Sequence, residues 1–373
     1  MRTKQWVWKR ADGWSALEEE ESPPSVVFVL GGRRALEEGK AIDALARWLP
    51  RERFFGCSTA GEIDGSTVCD DTVVATAVWF ERSSVVTSSA TLSEAGDSTT
   101  LGRLLVQRLP SKDVVHGLVF SDGLLVNGSA LVRGMMAELP ERTSISGGLS
   151  GDGIEFGRTV TIHAGTVVHG GVSLLGFRGA VQVGTGSLGG WEPFGPMRAV
   201  TKASGNVLEA LDGEPALALY KRYLGKHAAD LPSSALLFPL LVKAADGTPA
   251  VVRTVLSVDE AARTMTFAGD VPVGSTAQLM RANFERIIEA GEGAARASLQ
   301  QGTPSLALLI SCVGRRIILK QRVEDEVDAV RSALGRQVVT TGFYSYGELG
   351  AQLSGSPCQL HNQTMTVTSF REV

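Results

Sequence analysis

The sequence predicts an α+β protein of mixed sheets, with strand–helix–strand–strand units recurring in two related halves and helices packed outside the sheets. Three observations carry this expectation. Apolar runs of strand length end in glycine clusters, segments with helical apolar spacing stand between them, and one glycine-punctuated turn returns after the second strand of each unit. Glycine supplies 43 of 373 residues, above its usual share of about 7%, as a chain with many tight turns requires.

The first unit opens with SVVFVLGG (25–32), a buried strand leaving into a turn. ALEEGKAIDALARWLP follows, with Leu36, Ile42, Leu45 and Leu49 at helical spacing and a stop at Pro50. RFFGC gives a second strand and TVVATAVWF (72–80) a third. The order returns as HGLVFSDG, ALVRGMMAELP, SISGGLSGDG and TVTIHAG, then as SLALLISC, VEDEVDAVRSAL, VVTTGFYSYGELG and QTMTVTSF. The recurring turn carries Gly56, Ser58, Gly61 and Glu62, then Gly147, Ser150, Gly151 and Asp152 with a one-residue gap, then Gly342, Ser345, Gly347 and Glu348. A helix joining two neighbouring parallel strands enforces a right-handed crossover. It brings each second strand to the same sheet edge, where ligands tend to sit.

Between the second and third units, GTVVHGGVSLLGFRGAVQVGTGS is β-rich. A helix is expected from Glu214 to Leu224 with Pro215 near its first turn. LLFPLLVK, AVVRTVLSV and TMTFAG read as hairpin strands, and a further helix as running from about Arg281 to Leu299. The acidic run EEEESPP marks residues 1–24 as a solvated tail, followed by domains over 25–226 and 227–373.

A net charge of −4 leaves no electrostatic footprint for nucleic acid. No apolar run reaches the 18 or so residues of a membrane span, and the N-terminus lacks the apolar region of a secretory signal. The four cysteines (Cys57, Cys69, Cys312, Cys358) are scattered without C-x-x-C spacing, which supports neither a disulfide framework nor a zinc site. The expected location is cytoplasmic, which makes the sequons at Asn127 and Asn362 chance matches.

GTGSLG (184–189) matches the dinucleotide fingerprint, but Pro193 and Pro196 stand inside the helix it would have to open. A phosphate-binding G-x-x-x-x-G-K-[ST] is absent. Cys57-Ser58 at a strand end could serve a hydrolase-like enzyme as nucleophile, or be small structural residues. The five histidines show no metal spacing, although haem needs only one proximal ligand. The acids Glu62, Asp152 and Glu348 lie beside turn serines and backbone N–H groups, which together offer cation and anion contacts suited to a zwitterionic metabolite. Arg315 could clamp a carboxylate or be an exposed charge at a strand turn.

The motifs FGCSTAGEI, GWEPFGP with VTKASGNVLEALDGEPALALY behind it, SCVGRR, GFYSYGELG and LHNQTMTVTSF resemble the paired FIST N and FIST C domains in order, over roughly residues 25–370. The resemblance implies a non-enzymatic sensory module without catalytic or metal residues. Such modules occur alone or joined to histidine kinases, cyclic-dinucleotide enzymes or methyl-accepting domains. Small ligands, amino acids among them, have been proposed for the family, and a subset resembles haem-dependent nitric-oxide sensors that regulate a histidine kinase. With both domains filling the chain, signalling is expected to go through a separate partner. The expected ligand contacts are Cys57, Ser58, Thr59, Gly61 and Glu62; Ser150 and Asp152; Cys312 and Arg315; Tyr344, Tyr346, Gly347 and Glu348; and Asn362 and Thr364. Tyr344 or Tyr346 would act as a lid.

Overall fold

The computed structural model describes residues 1–373 apart from 112, 232, 300–301 and 353–354. The expected α+β class with mixed sheets holds, but the repetition is threefold, and the two related halves resolve into three units and an insertion. The first unit comprises β1 (Arg2–Lys9), β2 (Val26–Gly31), helices α1 (Arg33–Glu37) and α2 (Lys40–Leu45), β3 (Phe54–Ser58), the hairpin β4 (Glu62–Asp64) and β5 (Thr67–Cys69), and β6 (Val73–Trp79). The second comprises β7 (Ser83–Thr91), α3 (Ser98–Gln107), β8 (His116–Ser121), α4 (Gly128–Met136), β9 (Ser144–Leu149), the hairpin β10 (Thr161–His163) and β11 (Thr166–Val168), and β12 (Gly171–Gly179).

The third unit starts at β13 (Val181–Leu188) and is interrupted by an inserted sheet. That insertion contains β14 (Glu192–Ser204), β15 (Val207–Leu211), α5 (Ala216–Leu224), β16 (Leu240–Lys243), β17 (Val251–Arg253), β18 (Val255–Asp259), β19 (Thr264–Phe267) and β20 (Thr276–Arg281). The unit resumes with α6 (Phe284–Ser298), β21 (Leu306–Cys312), α7 (Val313–Leu319), α8 (Val323–Leu334) and β22 (Val339–Ser345). It ends with the hairpin β23 (Gly347–Ala351) and β24 (Cys358–His361), then β25 (Met365–Glu372). No helix among the described residues is long and apolar enough to cross a membrane.

Each unit builds its sheet in one order, and each borrows its hairpin from a neighbour. β2–β3, β8–β9 and β21–β22 are the parallel pairs that the crossover helices require. Hairpin β4–β5 leaves the first unit to pair with β22, β10–β11 leaves the second to pair with β3, and β23–β24 leaves the third to pair with β9. The exchange closes a cycle, so no unit completes its sheet alone. Glycine recurs inside β3, β9 and β22 for a steric reason. A Cβ at Gly56, Gly147 or Gly342 would collide with the carbonyl of Val29, Val119 or Leu309, its neighbour across the parallel pair.

The three sheets turn their inner faces to a common core. Phe28, Phe120 and Phe343, one from each sheet, are fully buried, with ring centroids 6.2 Å apart for Phe28–Phe120 and for Phe120–Phe343. Burial of each ring contributes about 1.5–3 kcal/mol. Cys57 lies in this core in register with Gly148 and Phe343. A side chain at Gly148 would collide with Ile310 and Phe343, so two small residues accommodate one large one. The helices cover the outer faces, and the insertion holds its own core around α5, with Leu217 and Tyr220 against Phe267 and Leu279.

Two expectations need correction. Residues 2–9 are not a solvated tail: Arg2–Lys9 pairs along β6 and buries Trp6 and Trp8. The acidic run between Trp14 and Pro23 had drawn attention away from the W-x-W alternation, which is a strand signature. In the middle unit, TVTIHAG forms the first arm of the exchanged hairpin, and β12 is the true counterpart of β6.

Candidate functional site

The recurring turns converge. Ala60 N donates to Tyr344 O at 2.7 Å, Gly151 N to Ser58 O at 2.9 Å, and Tyr346 N to Leu149 O at 3.1 Å. Counted from Gly56, Gly147 and Gly342, these are the same two positions in every copy, and the three bonds close a ring. The turns therefore satisfy one another's backbone groups, as buried N–H and C=O groups must. The open space lies to one side, where the first and second turns adjoin.

Two of the three acids brace the fold. Glu62 is buried and accepts from the Thr59 hydroxyl, from Thr72 N at 3.1 Å and from Thr72 Oγ1 at 2.7 Å. Glu348 repeats the arrangement with Ser345 Oγ at 2.6 Å, Thr364 N at 3.1 Å and Thr364 Oγ1 at 2.9 Å. Burial pushes these carboxyls up to about 7 and about 8, partly offset by the hydrogen bonds. In the middle unit Gly153 falls in register with both glutamates. The amide of Gly170 is capped there by Asp122 Oδ2 at 3.1 Å instead.

Asp152 stands one position earlier and has another task. It accepts from Gly157 N at 3.0 Å, Arg158 N at 2.8 Å and the Tyr346 hydroxyl, which anchors the loop 152–158. Phe156 of that loop stacks on Tyr346 with centroids 4.5 Å apart and planes within 14°.

A cleft of about 240 Å³ opens here, lined by Thr59, Gly61, Glu62 and Asp152 from the turns, with Arg33, Arg34, Asp70, Asp71 and Glu155 around them. At its mouth the Glu155 carboxylate bridges two guanidiniums, Arg33 Nη2 at 2.9 Å and Arg34 Nη2 at 2.8 Å. Asp70 is engaged by Arg316 at 2.7 and 2.6 Å. Asp71 is exposed with a φ of 53° and has no ion pair among the described residues. Arg33, Arg34, Asp70, Asp71 and Glu155 were not anticipated from the sequence. The available signal was Gly-Gly-Arg-Arg at the end of β2, since that strand end adjoins the first turn.

The remaining anticipated residues lie away from the cleft. Ser58 is buried and accepts from Val160 N at 3.0 Å, and Ser150 donates to Ser121 O at 2.9 Å. Burial pushes the Cys57 and Cys312 thiols upward, against formation of a nucleophilic thiolate. Arg315 is fully buried on Glu326, with Nε–Oε1 at 2.7 Å, and Tyr344 donates to Glu326 Oε2 at 3.0 Å. Gly347 packs on Leu149 and Leu360, Asn362 donates to His361 O at 3.0 Å, and Thr364 holds Glu348.

The FIST N domain model matches residues 25–214 and the FIST C domain model residues 216–351. The chain belongs to the FIST family. FIST domains are sensory domains of signal transduction. No curated protein matches the chain. Neither fully buried histidine offers a free ring nitrogen suited to a haem iron. His116 has both ring nitrogens on serine hydroxyls, Ser144 at 2.7 Å and Ser146 at 2.8 Å, and burial pushes it down to about 3. His361 Nε2 meets Gly350 O at 3.0 Å. His163 borders a separate cavity whose wall mixes Ser89, Thr91, Thr161 and Thr166 with Ala90, Val168 and Val172.

Proposed function

We propose that this FIST protein senses a small zwitterionic metabolite, an amino acid or close relative, in the cleft between the first and second turns. It would report through a separate output partner such as a histidine kinase. The observation that supports this most directly is the bridge of Glu155 between Arg33 and Arg34. Two guanidiniums already converge on a carboxylate at the mouth of a polar cleft, in the paired geometry that favours carboxylate recognition. Asp71 stands on the cleft wall to receive an ammonium group.

A ligand carboxylate would take the place of Glu155 and release the loop 152–158. That loop is tied to the third unit through Phe156 and Tyr346, so ligand entry in one unit disturbs another. Ile154 on the same loop is 71% exposed, an apolar handle for a partner. Calorimetric titration with the proteinogenic amino acids is the test. At least one should bind saturably, and Arg33→Ala should remove that binding while the far-ultraviolet spectrum stays unchanged. Failure of every amino acid to bind folded protein would overturn the reading.

A further inference from the structure

A second cavity, of about 230 Å³, lies where the insertion meets the hairpin β23–β24 and helix α4. Its walls are mainly aliphatic, with Val132, Val242, Val251, Pro272 and Leu360 among them. Arg253 stands in that wall and is only 6% exposed. Its hydrogen bonds run to neutral carbonyls, Nε to Asp270 O at 3.0 Å and Nη1 to Leu360 O at 2.8 Å. The carboxylate of Asp270 does not pair with it. That group is held by Arg133 Nη1 at 2.8 Å and Asn127 Nδ2 at 3.0 Å.

The charge in the cavity is therefore unbalanced. Arg253 and Arg133 bring two positive charges against the single negative charge of Asp270. Cys358 and His361 are neutral at pH 7, their pKa values moved by burial to about 12 and about 4. A buried cation without an anionic partner is costly, and burial depresses Arg253 to about 10. The hydroxyl of Ser129, which lines the same space, is buried without a hydrogen-bond partner. Small-molecule sites favour such apolar hollows between structural bodies, with a few convergent polar groups.

We infer that this cavity is a second ligand site, separate from the cleft at the turns, and that it takes a monocarboxylate with a short branched or single-ring apolar tail. The carboxylate meets Arg253 and Ser129, and the tail lies on the valine wall. Because the cavity is walled by the insertion on one side and by α4 and the β23–β24 hairpin on the other, the ligand clamps the insertion to the threefold body.

The test uses the full chain with isovalerate and its neutral analogue isovaleramide, followed by calorimetry and thermal unfolding. Isovalerate is expected to bind saturably and raise the unfolding midpoint, and the amide to bind at least tenfold more weakly. Arg253→Met should remove the response. Ala244→Phe, which fills the cavity from its partly exposed rim and leaves the charge in place, should do the same if Arg253→Met fails to fold. Arg33→Ala, in the other site, should leave it intact. Absence of isovalerate binding to folded wild type overturns the proposal. So does binding that survives Ala244→Phe, or equal affinity for acid and amide.

Discussion

Glu348 Oε2 takes two hydrogen bonds from one residue, Thr364, through its amide at 3.1 Å and its hydroxyl at 2.9 Å. Glu62 does the same with Thr72, so an identical brace holds the entry to the last strand of the first and third units. Replacing Glu348 by alanine strands buried donors on Ser345 and Thr364, at about 1–3 kcal/mol for an unsatisfied group. Glu348→Ala is expected to lower stability by about 2–4 kcal/mol, read as a shift in the urea midpoint. Amino-acid binding at the cleft should persist under conditions where the variant is folded.

The same carboxyls set a pH dependence. Both have pKa values raised in the folded protein, to about 7 for Glu62 and about 8 for Glu348, chiefly by burial. The folded state thus holds protons that the unfolded chain has released, and stability falls as pH rises. Their contribution is complete below the ordinary glutamate range near 4.3 and is lost progressively as pH passes through about 7 to 8. Below about pH 6.5 the loss is offset by His116 and His361, whose buried neutral rings, held down at about 3 and about 4, add stability as the unfolded chain's histidines lose their protons. The unfolding midpoint of wild type should therefore drop between about pH 6.5 and 8. The slope should flatten in the double variant Glu62→Gln, Glu348→Gln. An equal slope in both proteins would locate the titration elsewhere.

How much of this was legible in the sequence follows from what each signal encodes. Apolar runs and glycine turns specify local structure, and most strands stand where the residues placed them, while the one helix expected before Pro50 is two short ones, Arg33–Glu37 and Lys40–Leu45. Parallel crossovers deliver each second strand's end to one edge of its own sheet, but the meeting of the three turns was not readable, because nothing in the sequence sets how the three sheets pack on one another. Nor was the hairpin exchange, since the residues of β4, β10 and β23 do not encode which second strand they join. Asp152 was aligned with the two glutamates because a gap in a glycine-rich turn can be placed in more than one way, and only the strand register fixes it. Arg33 and Arg34 carried no sequence signal of a site, because Glu155, which joins them, lies more than 120 residues away in sequence.

The glycines inside the second strands offer a steric test of the threefold design. Alanine at Gly56, Gly147 or Gly342 drives a Cβ into a carbonyl of the paired strand, where neither backbone can yield without breaking the ladder. Each variant should lose soluble expression or several kcal/mol of stability. Gly157 is a control, because a Cβ there meets nothing nearer than Asp152 Oδ2 at 3.6 Å. Gly157→Ala should stay within about 0.5 kcal/mol of wild type in the same urea titration.

Glu155 gives the ligand reading a test of opposite sign. If its carboxylate occupies the position of a ligand carboxylate, its removal opens Arg34 and the Nη2 of Arg33, while Arg33 Nη1 stays on Glu37 at 2.9 Å. Glu155→Gln should then tighten amino-acid binding by about threefold to tenfold, with Arg33→Ala weakening it, and Glu155→Gln should leave stability nearly unchanged as the loss of a surface ion pair does. Weaker binding in Glu155→Gln would instead make Glu155 a ligand contact.

Arg315 is the fully buried counterpart to the cleft arginines, and its removal should behave differently. Its guanidinium bonds Glu326, and reaches Gly189 O at 2.5 Å, Ile287 O at 2.7 Å and Gln363 O at 3.3 Å. It thereby joins α7 and α8 to the point where the insertion leaves the third unit. Glu326 also accepts from Ser311 Oγ at 3.1 Å and from Tyr344 at 3.0 Å. Deleting the cation alone leaves Glu326 charged and buried, a defect of about 3–5 kcal/mol. Arg315→Met should show that loss in denaturant unfolding. Arg315→Met with Glu326→Leu removes both charges and should recover part of it, since a neutral core of similar volume carries no unpaired ion. A double variant as unstable as the single one would assign the stability to the carbonyl contacts rather than to the charge pair.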